Sequence, residues 1–470
     1  MNGSNKRILI CLNSLGIGGV ETACLTQIKE YARRNYEVYV LAGKGIYVEN
    51  IEKLSNVHFI EFDYEHKNGI ELVKIEFVVD ILKKHNINLV YIHKLECILS
   101  VFPACILSNI PYIAYLHMGI LNTYDWYLGN LNITKTFLKA YFQNAYKIIG
   151  IAKQTIEENI KLFDIEEEKY KLIPNSIDFK EFCNNKLQEN YSNKLLLITR
   201  LDKDKGNGVK NAIKFFKEYK NYKSDVTMDI IGDGAEKDKI EKEIQNQGLN
   251  IKLLGPKNNV SEFIKDYDII LGVGRCIQEA IAMRKLGIIV GYDNFNGPVI
   301  YENIVDVAKT NFSGRGLPKK DYKETIKWLK DLTSDQLKEI IDKNYNWLYE
   351  NRNIENNIYE VKNITDAKEN AENLNYSDLL KLLFEEIGNI QRKYNKDVKN
   401  AWDVKESTED FYLNREKWDK NQLQEKDKQI SELRKEIEEL KKLKTDKSIK
   451  LLEKIKRFIK NNRFYINKLN

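Results

Sequence analysis

The sequence predicts an α/β protein with two Rossmann-like, doubly wound domains and a C-terminal helical extension. Apolar strand-like runs alternate with helical patterns in two successive rounds, and this alternation is typical of parallel sheets covered by helices. The chain has 470 residues, which is too long for one ordinary core. Beyond about residue 355 the alternation stops, and charged, heptad-like segments take its place.

The first round of alternation occupies residues 1–183 and predicts the N-terminal domain. It opens with a strand that leads into a helix from about Glu21 to Arg34, and a second helix fits residues 71–85. We expect the strands to pair into one buried sheet, since they are nearly continuous apolar runs. They are "RILICL" (7–12), "EVYVLA", "VHFIEF", "NLVYIH", "YIAYLH" and "KIIGIA" (147–152).

One stretch of this domain has the charge-free composition of a membrane-spanning segment. No Asp, Glu, Lys or Arg occurs from Cys97 to Tyr124. Pro103, Asn109 and Pro111 interrupt the stretch, so a continuous apolar helix of about 20 residues is not available. We therefore expect a buried helix, a turn and a strand there, and no transmembrane helix.

The second round of alternation spans residues 194–355 and predicts the C-terminal domain. The polar segment "CNNKLQENYSN" (183–193) is the natural linker between the two domains. A strand–helix–strand unit closes this round at residues 268–292. The elements before it are the strands "KLLLIT", "TMDIIG" and "IKLLG" and the helices 207–220, 235–247 and 260–266.

The rest of the chain divides into three polar segments. Residues 356–410 predict a helical and irregular extension. Residues 411–446 carry Leu and Ile at a/d-like spacing between Lys and Glu, which fits a short coiled coil and also a merely solvated helix. Residues 447–470 predict a basic amphipathic tail helix, which suits an anionic membrane surface or a protein partner.

The bulk composition limits the functions to consider. A net charge of +6 is mild for this length and gives a nucleic-acid partner little support. The six cysteines show no CxxC pair and no metal-ligand spacing, which predicts reduced thiols, a cytoplasmic protein and no metal centre. The N-terminus lacks the apolar region of a signal peptide. The bias toward Lys, Asn and Ile indicates an AT-rich bacterial genome.

Function is expected beyond the carboxyl ends of the strands, where doubly wound sheets bind ligands. The first strand leads into "LNSLGIGGVETA" (12–23), in which Gly18 and Gly19 precede a helix. Glycines let the backbone approach a ligand, and the helix N-terminus offers N–H groups to a phosphate or a sugar hydroxyl. As a dinucleotide fingerprint the loop is poor, because Glu21 takes the third glycine position. A tight turn without a ligand is the alternative interpretation.

A second strand end carries two cations. Arg200 directly follows the strand "LLLIT", and Lys205 lies five residues further on. Together they can clamp a diphosphate, since Arg engages two oxygens in one plane and Lys adds a point charge. A solvated charged loop is the alternative. The DxD spacings at 202–204 and 266–268 are discounted as metal sites, because the first lies within the clamp loop and the second ends a helix before a strand.

The segment "DIILGVGRCIQEAIAMRKLGIIVGY" (268–292) predicts a strand, a glycine turn that includes Gly274, a helix and a further strand. Glu279, about one turn into the helix, can accept two hydrogen bonds from a ribose diol, or it is a solvated helical residue. Arg275 is electrostatically disfavoured at the start of a helix. An anionic ligand would offset that cost.

Two histidines end strands of the first domain. His117 ends "YIAYLH" and His93 ends "LVYIH", so we expect both at the edge of the sheet where the ligand cleft lies. A lone histidine is more often structural than functional. At a strand end of this fold the two interpretations are equally open.

These segments, in this order, resemble the GT-B glycosyltransferases of family 4 (group 1). The resemblance covers roughly residues 6–350 and implies two Rossmann-like domains that close over a nucleotide-sugar donor, a retaining reaction, and no metal or other cofactor. The segments that carry it are "GIGGVE", "YLHMG", "IGIAKQTIEENI", "LIPNSID", "TRLDKDKG", "IIGDGAEKDKIE", "YDIILGVG" and "QEAIAMRKLG".

Carried over residue by residue, the resemblance implies a complete donor site. The cations of the second domain would hold the donor diphosphate, Glu279 would hold the donor ribose, and His117 would lie beside the transferred sugar. The residues implied as catalytic are Arg200, Lys205 and His117, and those implied as donor-binding are Gly18, Gly19, Gly274, Arg275 and Glu279.

One departure from the family pattern stands out. The family's Glu-x7-Glu pattern would place its first glutamate, which contacts hydroxyls of the donor sugar, at Leu271. The sequence instead resembles a variant branch with GxGRxxxEA at this point, which also shows "GYDNFNG" (291–297) and "NFSGRG" (311–316). We therefore expect an altered donor site.

The resemblance implies a hexosyltransferase-type enzyme. It would move a sugar from a nucleotide-diphosphate donor, expected to be UDP-linked, to a cell-surface glycan, a lipid-linked oligosaccharide or a protein glycan. We expect polysaccharide biosynthesis for the cell envelope, on the inner face of the membrane, with a homodimer formed through the coiled coil. Two alternatives are a non-catalytic GT-B scaffold that acts through its coiled coil and a GT-B sugar-phosphate epimerase, for which no convincing pair of acidic bases is visible.

Overall fold

The computed structural model contains two α/β domains joined by a pair of crossing segments. Each domain is one mainly parallel sheet with a hydrophobic cluster on each face, so the predicted fold class is confirmed. The structure describes residues 6–65, 71–117, 134–182, 194–203, 206–257 and 259–361, together with Leu379 and Leu382.

The sheet of the first domain has the strand order β3-β2-β1-β4-β5-β6-β7, and all its pairs are parallel. Side chains of β1 alternate between the two clusters: Leu9 and Cys11 enter one, Ile8 and Ile10 the other. Both faces are buried, which explains the nearly continuous apolar runs. The strands are β1 (Arg7–Ser14), β2 (Glu37–Gly43), β3 (Val57–Glu61), β4 (Leu89–Ile92), β5 (Tyr112–Leu116), β6 (Lys147–Gly150) and β7 (Tyr170–Leu172).

The helices of this domain bury most of their apolar side chains, and in one of them residues 98–105 are buried without a break. In the first of them, Cys24, Ile28 and Tyr31 follow at helical spacing and are fully buried. The helices are α1 (Gly19–Arg33), α2 (Val48–Glu52), α3 (Leu72–Lys84), α4 (Ile98–Ser108), α5 (Lys135–Asn144) and α6 (Lys153–Phe163).

The described part of the charge-free stretch, residues 97–117, forms short buried elements. Pro103 lies inside α4, and Asn109 ends that helix in the left-handed conformation (φ 52°) before β5 begins. No helix among the described residues is long and apolar enough to cross a membrane. The predicted interruption is observed at Asn109 and Pro111, whereas Pro103 lies within the helix and does not end it.

The sheet of the second domain has the order β10-β9-β8-β11-β12-β13. Its last pair, β12 with β13, is antiparallel, and the sequence patterns did not predict this edge strand. The strands are β8 (Lys194–Ile198), β9 (Thr227–Ile231), β10 (Ile251–Gly255), β11 (Ile269–Gly272), β12 (Leu286–Val290) and β13 (Phe295–Pro298).

The helices of the second domain cover both faces of this sheet. The longest described one, at residues 334–352, begins with a capping box in which Thr333 and Gln336 bond each other's backbone N–H groups. The helices are α7 (Gly206–Tyr222), α8 (Lys237–Asn246), α9 (Ser261–Ile264), α10 (Arg275–Ala282), α11 (Ile304–Lys309), α12 (Tyr322–Asp331), α13 (Ser334–Arg352) and α14 (Ile354–Asn357).

Two segments connect the domains and pair with each other. Ile177 N donates to Arg352 O (2.8 Å), and Ile354 N donates to Ile177 O (3.0 Å), in a parallel bridge. After this bridge the chain returns to the first domain, where Val361 is buried in the cluster with Tyr31. Residues 354–361 thus complete the N-terminal domain structurally, although the sequence predicted that the second domain extends to residue 355.

The predicted short coiled coil (411–446), the tail helix (447–470) and most of the extension (356–410) lie outside the described residues. Of the extension, residues 356–361 are described, and so are Leu379 and Leu382, which are buried in the core of the first domain.

Candidate functional site

The predicted site residues lie where the strand order of each sheet reverses. In the first sheet β1 is flanked by β2 and β4, and in the second β8 is flanked by β9 and β11. In doubly wound sheets the loops after such strands diverge, and the usual ligand position lies between them. Gly18 follows β1 and His93 follows β4, while Arg200 follows β8 and Arg275 follows β11.

Arg275 and Glu279 form a buried ion pair at the start of α10. Arg275 Nε donates to Glu279 Oε1 at 2.8 Å, and the side chains are 8% and 9% exposed. The spacing of four residues brings them onto one face of the helix. The cost of a cation at a helix N-terminus is therefore offset by Glu279 within the chain, whereas the sequence suggested an anionic ligand.

The guanidinium of Arg275 also joins three parts of the molecule. Nη1 donates to Ser176 O (2.9 Å) in the connecting segment, and Nη2 donates to Thr26 Oγ1 (2.8 Å) on α1. All three hydrogen bonds are buried, and the last one crosses from the second domain to the first. Arg275 therefore fixes Glu279 relative to both domains.

Burial dominates the electrostatics of Glu279. Desolvation raises the pKa of its carboxyl group, and the charge and hydrogen bond of Arg275 lower it in part. The phenol of Tyr47 is buried nearby, and desolvation raises its pKa to about 12, with the charge of Glu279 as a further cause. A carboxylate in such a site can accept hydrogen bonds from hydroxyls in a place with little water.

The turn before α10 depends on its glycines. Gly274 has φ 68°, and its N–H donates to Phe312 O (2.7 Å). A Cβ on Gly272 would lie 2.4 Å from Cys276 Sγ and 2.9 Å from Ile198 O. Leu271 is fully buried in β11 and belongs to the core cluster with Leu197. A carboxylate at position 271 would therefore enter the core.

The glycine loop of the first domain leaves the backbone at the start of α1 without side chains that would cover it. Gly18 O accepts from Thr22 N (3.0 Å) and from Thr22 Oγ1 (2.9 Å), which anchors the first turn. A Cβ at Gly18 would lie 2.0 Å from Glu21 Oε2, whereas a Cβ at Gly19 would meet no atom of the described residues within 4 Å. Space beside Gly19 is thus available to a ligand.

We expect the substitution Gly19→Ala to separate binding from folding. The new methyl group has room, and alanine favours the helix by up to about 1 kcal/mol over glycine, so the thermal unfolding temperature should stay equal or rise. If a donor approaches this backbone, the methyl should weaken its binding about tenfold, measured by titration calorimetry with the nucleotide sugar that the protein accepts. An unchanged Kd would show that the loop is a turn without a ligand.

The loop with Arg200 rests on the glycines that follow β9. Leu201 N donates to Asp233 O (2.8 Å) and Glu236 N donates to Leu201 O (2.8 Å). A Cβ on Gly232 would lie 1.8 Å from Thr199 O, and one on Gly234 would lie 2.5 Å from the carbonyl carbon of Leu201. The glycines of "IIGDG", to which the sequence interpretation gave no role, therefore let this loop lie against β9.

Arg200 is an exposed cation of this loop. Its side chain is 52% exposed and pairs with Asp202, Nη1 to Oδ2, at 3.1 Å. Lys205, predicted as its partner on the diphosphate, lies outside the described residues, so the clamp is described at Arg200 alone.

The two strand-end histidines contact each other. His93 Nδ1 lies 3.0 Å from His117 Nε2, and the His93 ring stacks on Tyr115. Burial lowers the pKa of both imidazoles, that of His117 to about 3, with the charge of Lys94 as a second cause there. Lys94 Nζ in turn pairs with Glu21 Oε1 at 3.3 Å. Both histidines are neutral at pH 7 and can take part in hydrogen bonds without carrying charge.

Sequence reasoning found the strand-end residues but not their partners across the domains. Thr26 and Ser176 had no predicted role. Thr26 could have been found in the sequence as a polar residue on the apolar face of α1. Ser176 lies in the segment "LIPNSID", which is part of the family resemblance but had no predicted role. The Arg275–Glu279 spacing was visible in the sequence and could have predicted their pairing.

Two doubly wound domains that meet at their switch points define the GT-B class of glycosyltransferases. Within that class, residues 17–181 match the family model described as Glycosyltransferase Family 4, and residues 178–292 match the model described as Glycosyl transferases group 1. The chain belongs to this family, the group 1 glycosyltransferases of family 4. No protein of curated function matches the sequence.

Solved structures share the fold. A glycosyltransferase from Rickettsia africae is 19% identical, with 78% of this chain and 99% of that chain covered and a TM-score of 0.58. Anabaena HepE in complex with UDP-glucose is 16% identical, with 78% and 99% covered and a TM-score of 0.55. Sucrose-phosphate synthase from Thermosynechococcus elongatus is 16% identical, with 75% and 96% covered and a TM-score of 0.55. At these identities the likeness concerns the fold.

Proposed function

We propose that the protein is a retaining, metal-independent glycosyltransferase of the hexosyltransferase type that uses a nucleotide-diphosphate sugar, with UDP as the nucleotide. The observation that carries the proposal is the buried Glu279 carboxylate, which Arg275 holds at the switch point of the second domain. A fixed carboxylate there suits the hydroxyls of a ribose. The complex of HepE with UDP-glucose supports UDP as the first donor to test.

The donor would lie between the two domains. Arg200 and Lys205 would bind the diphosphate, the backbone of Gly18 and Gly19 would approach it from the first domain, and His117 would lie beside the transferred sugar as a neutral hydrogen-bonding group. These side chains stabilise the charge that develops on the departing diphosphate.

The transfer would need no protein nucleophile. The acceptor hydroxyl attacks the anomeric carbon on the face from which the diphosphate leaves, the bond from that carbon to the diphosphate breaks, and a diphosphate oxygen takes the hydroxyl proton. The protein then contributes position and charge stabilisation. We propose a cell-surface, lipid-linked or protein-linked glycan as the acceptor, with the tail helix at the inner face of the membrane.

The test is thermal-shift binding and donor hydrolysis with UDP-, GDP-, dTDP- and CMP-sugars, run beside the double variant Arg200→Ala/Lys205→Ala. A ligand at 100 times its Kd stabilises the folded state by about 2.7 kcal/mol. We expect a UDP-sugar to raise the unfolding temperature of the wild type and not of the variant. A folded protein that no donor stabilises would contradict the enzyme proposal and favour a scaffold that acts through its C-terminal segments.

A further inference from the structure

Three side chains with metal-binding atoms meet at the edge of the first sheet. They are Cys24 on α1, His93 after β4 and His117 after β5, and one ligand atom of each lies within 4.8 Å of the others. Because β4 and β5 are neighbouring parallel strands, the residues that follow them lie side by side, and α1 packs over the same face. The six cysteines predicted no metal site, since these residues are far apart in sequence.

The histidine pair leaves part of its bonding capacity unused. A bond between two neutral imidazoles uses one N–H and one lone pair, and it leaves one N–H and one lone pair on the other two nitrogens. Those nitrogens, His93 Nε2 and His117 Nδ1, are buried without a hydrogen-bond partner among the described residues. When a metal ion takes the two facing nitrogens, His93 Nδ1 and His117 Nε2, these outer nitrogens carry the N–H groups of the two neutral rings.

The donor set is specific for one class of cation. Two imidazole nitrogens and a thiolate suit Zn²⁺ and similar borderline ions, whereas Mg²⁺ and Ca²⁺ prefer oxygen ligands. Around a tetrahedral Zn²⁺ the ligand atoms would be about 3.3–3.6 Å apart. His93 Nδ1 and His117 Nε2 are already 3.0 Å apart, so shifts of about 1 Å would complete the geometry.

The charges around the cluster are balanced. Lys94 would repel a bound cation, but its Nζ is paired with Glu21 Oε1 at 3.3 Å. Cys24 is fully buried and belongs to the apolar cluster beneath α1. Without the histidines it would be an ordinary buried thiol.

We propose that Cys24, His93 and His117 form a binding site for Zn²⁺, and that occupancy of this site inhibits the protein. A bound ion would take a His117 nitrogen away from the transferred sugar and fix the ring against α1. The inhibition rests on the proposed transferase function, whereas the binding of the ion does not.

The binding test uses Co²⁺ as a spectroscopic substitute for Zn²⁺ on the full-length, chelator-treated protein. We expect a single equivalent of Co²⁺ to give a thiolate charge-transfer band and tetrahedral d–d bands, both lost when Zn²⁺ is added. Cys24→Ala should abolish the charge-transfer band and weaken binding by more than about 100-fold, since even loss of an outer-shell partner costs 10–100-fold. The matched control Cys105→Ala removes another fully buried thiol of the same domain and should bind as the wild type does.

Two results would overturn the site: no Co²⁺ or Zn²⁺ binding by the folded wild type, or unchanged binding in a folded Cys24→Ala or His117→Asn variant. The second variant keeps the test valid if Cys24→Ala does not fold. In transfer assays with the chelator-treated protein we expect Zn²⁺ to inhibit the wild type and Cys105→Ala but not Cys24→Ala, EDTA to reverse that inhibition, and Mg²⁺ to have no effect. Binding without inhibition would overturn the inhibitory role alone. Absence of any transfer would count against the proposed function and leave the Co²⁺ result standing.

Discussion

The substitution Arg275→Met should destabilise the protein by about 3–5 kcal/mol, because it leaves the buried Glu279 carboxylate without its counter-charge. It also removes the hydrogen bonds to Ser176 and Thr26. Denaturant unfolding of the full-length chain, followed by circular dichroism, measures the change. The double variant Arg275→Met/Glu279→Gln carries no uncompensated charge and should recover more than half of the loss. Equal stability of the single and double variants would contradict this account.

The single variant Arg275→Met should lose more stability, relative to the wild type, at high pH than at low pH. Burial raises the pKa of Glu279 in the folded protein and Arg275 lowers it in part, so removal of Arg275 raises the folded pKa further. A group with a raised folded pKa contributes stability below its unfolded pKa and loses that contribution as the pH rises through the folded value. The stability difference between Arg275→Met and wild type should therefore grow as the pH rises above 4.5, the ordinary pKa of a glutamate carboxyl group, and be nearly independent of pH when Glu279→Gln is added.

The substitution Arg200→Ala should reduce kcat/KM for transfer by about 100- to 1,000-fold, the usual effect of removing one donor aimed at developing charge. The side chain is half exposed, so unfolding should change by no more than about 0.5 kcal/mol. Steady-state kinetics with the donor identified by thermal shift measure the effect. Arg200→Lys should recover only part of the activity, because Lys cannot engage two diphosphate oxygens in one plane.

A control for Arg200 lies in the same loop. Lys203 is also cationic and exposed, and Lys203→Ala should change kcat/KM by less than about threefold, since an exposed charge acts only through a screened field. Equal losses in Arg200→Ala and Lys203→Ala would indicate that the loop attracts the donor by its overall charge. An active Arg200→Ala would remove Arg200 from the site.

The sheets and the strand ends could be predicted because they follow from local patterns. A parallel sheet aligns the carboxyl ends of its strands, so the loops that carry Gly18, His93, His117 and Arg200 had to share one edge of each sheet. The edge strand β13 was missed because its sequence, "FNGP", contains a Gly and a Pro, which are typical of turns. Antiparallel pairing at a sheet edge tolerates both.

The contacts of Arg275 could be predicted only in part. Its bond to Glu279 follows from helical spacing, but its bond to Thr26 joins residues that are 249 positions apart and depends on how the two domains dock. The position of Leu271 in the core could not be predicted from the sequence either. The pattern suggested a missing carboxylate in the donor site, whereas position 271 is a core position of β11. Local sequence does not encode which way a strand residue faces when both faces are apolar.

The return of the chain to the first domain affects how the protein can be made. Tyr31 and Tyr91 both donate their hydroxyls to the carbonyl of Tyr359, and Val361 is buried with Tyr31. In chain topology the second domain is an insertion within the first. The last strand of the N-terminal sheet ends at Leu172, so on the ribosome this sheet must wait for about 180 further residues before the segment at 354–361 is synthesised. Until then Tyr31 and Tyr91 lack the carbonyl that accepts their hydrogen bonds. The N-terminal domain is therefore completed only after the second domain has been synthesised.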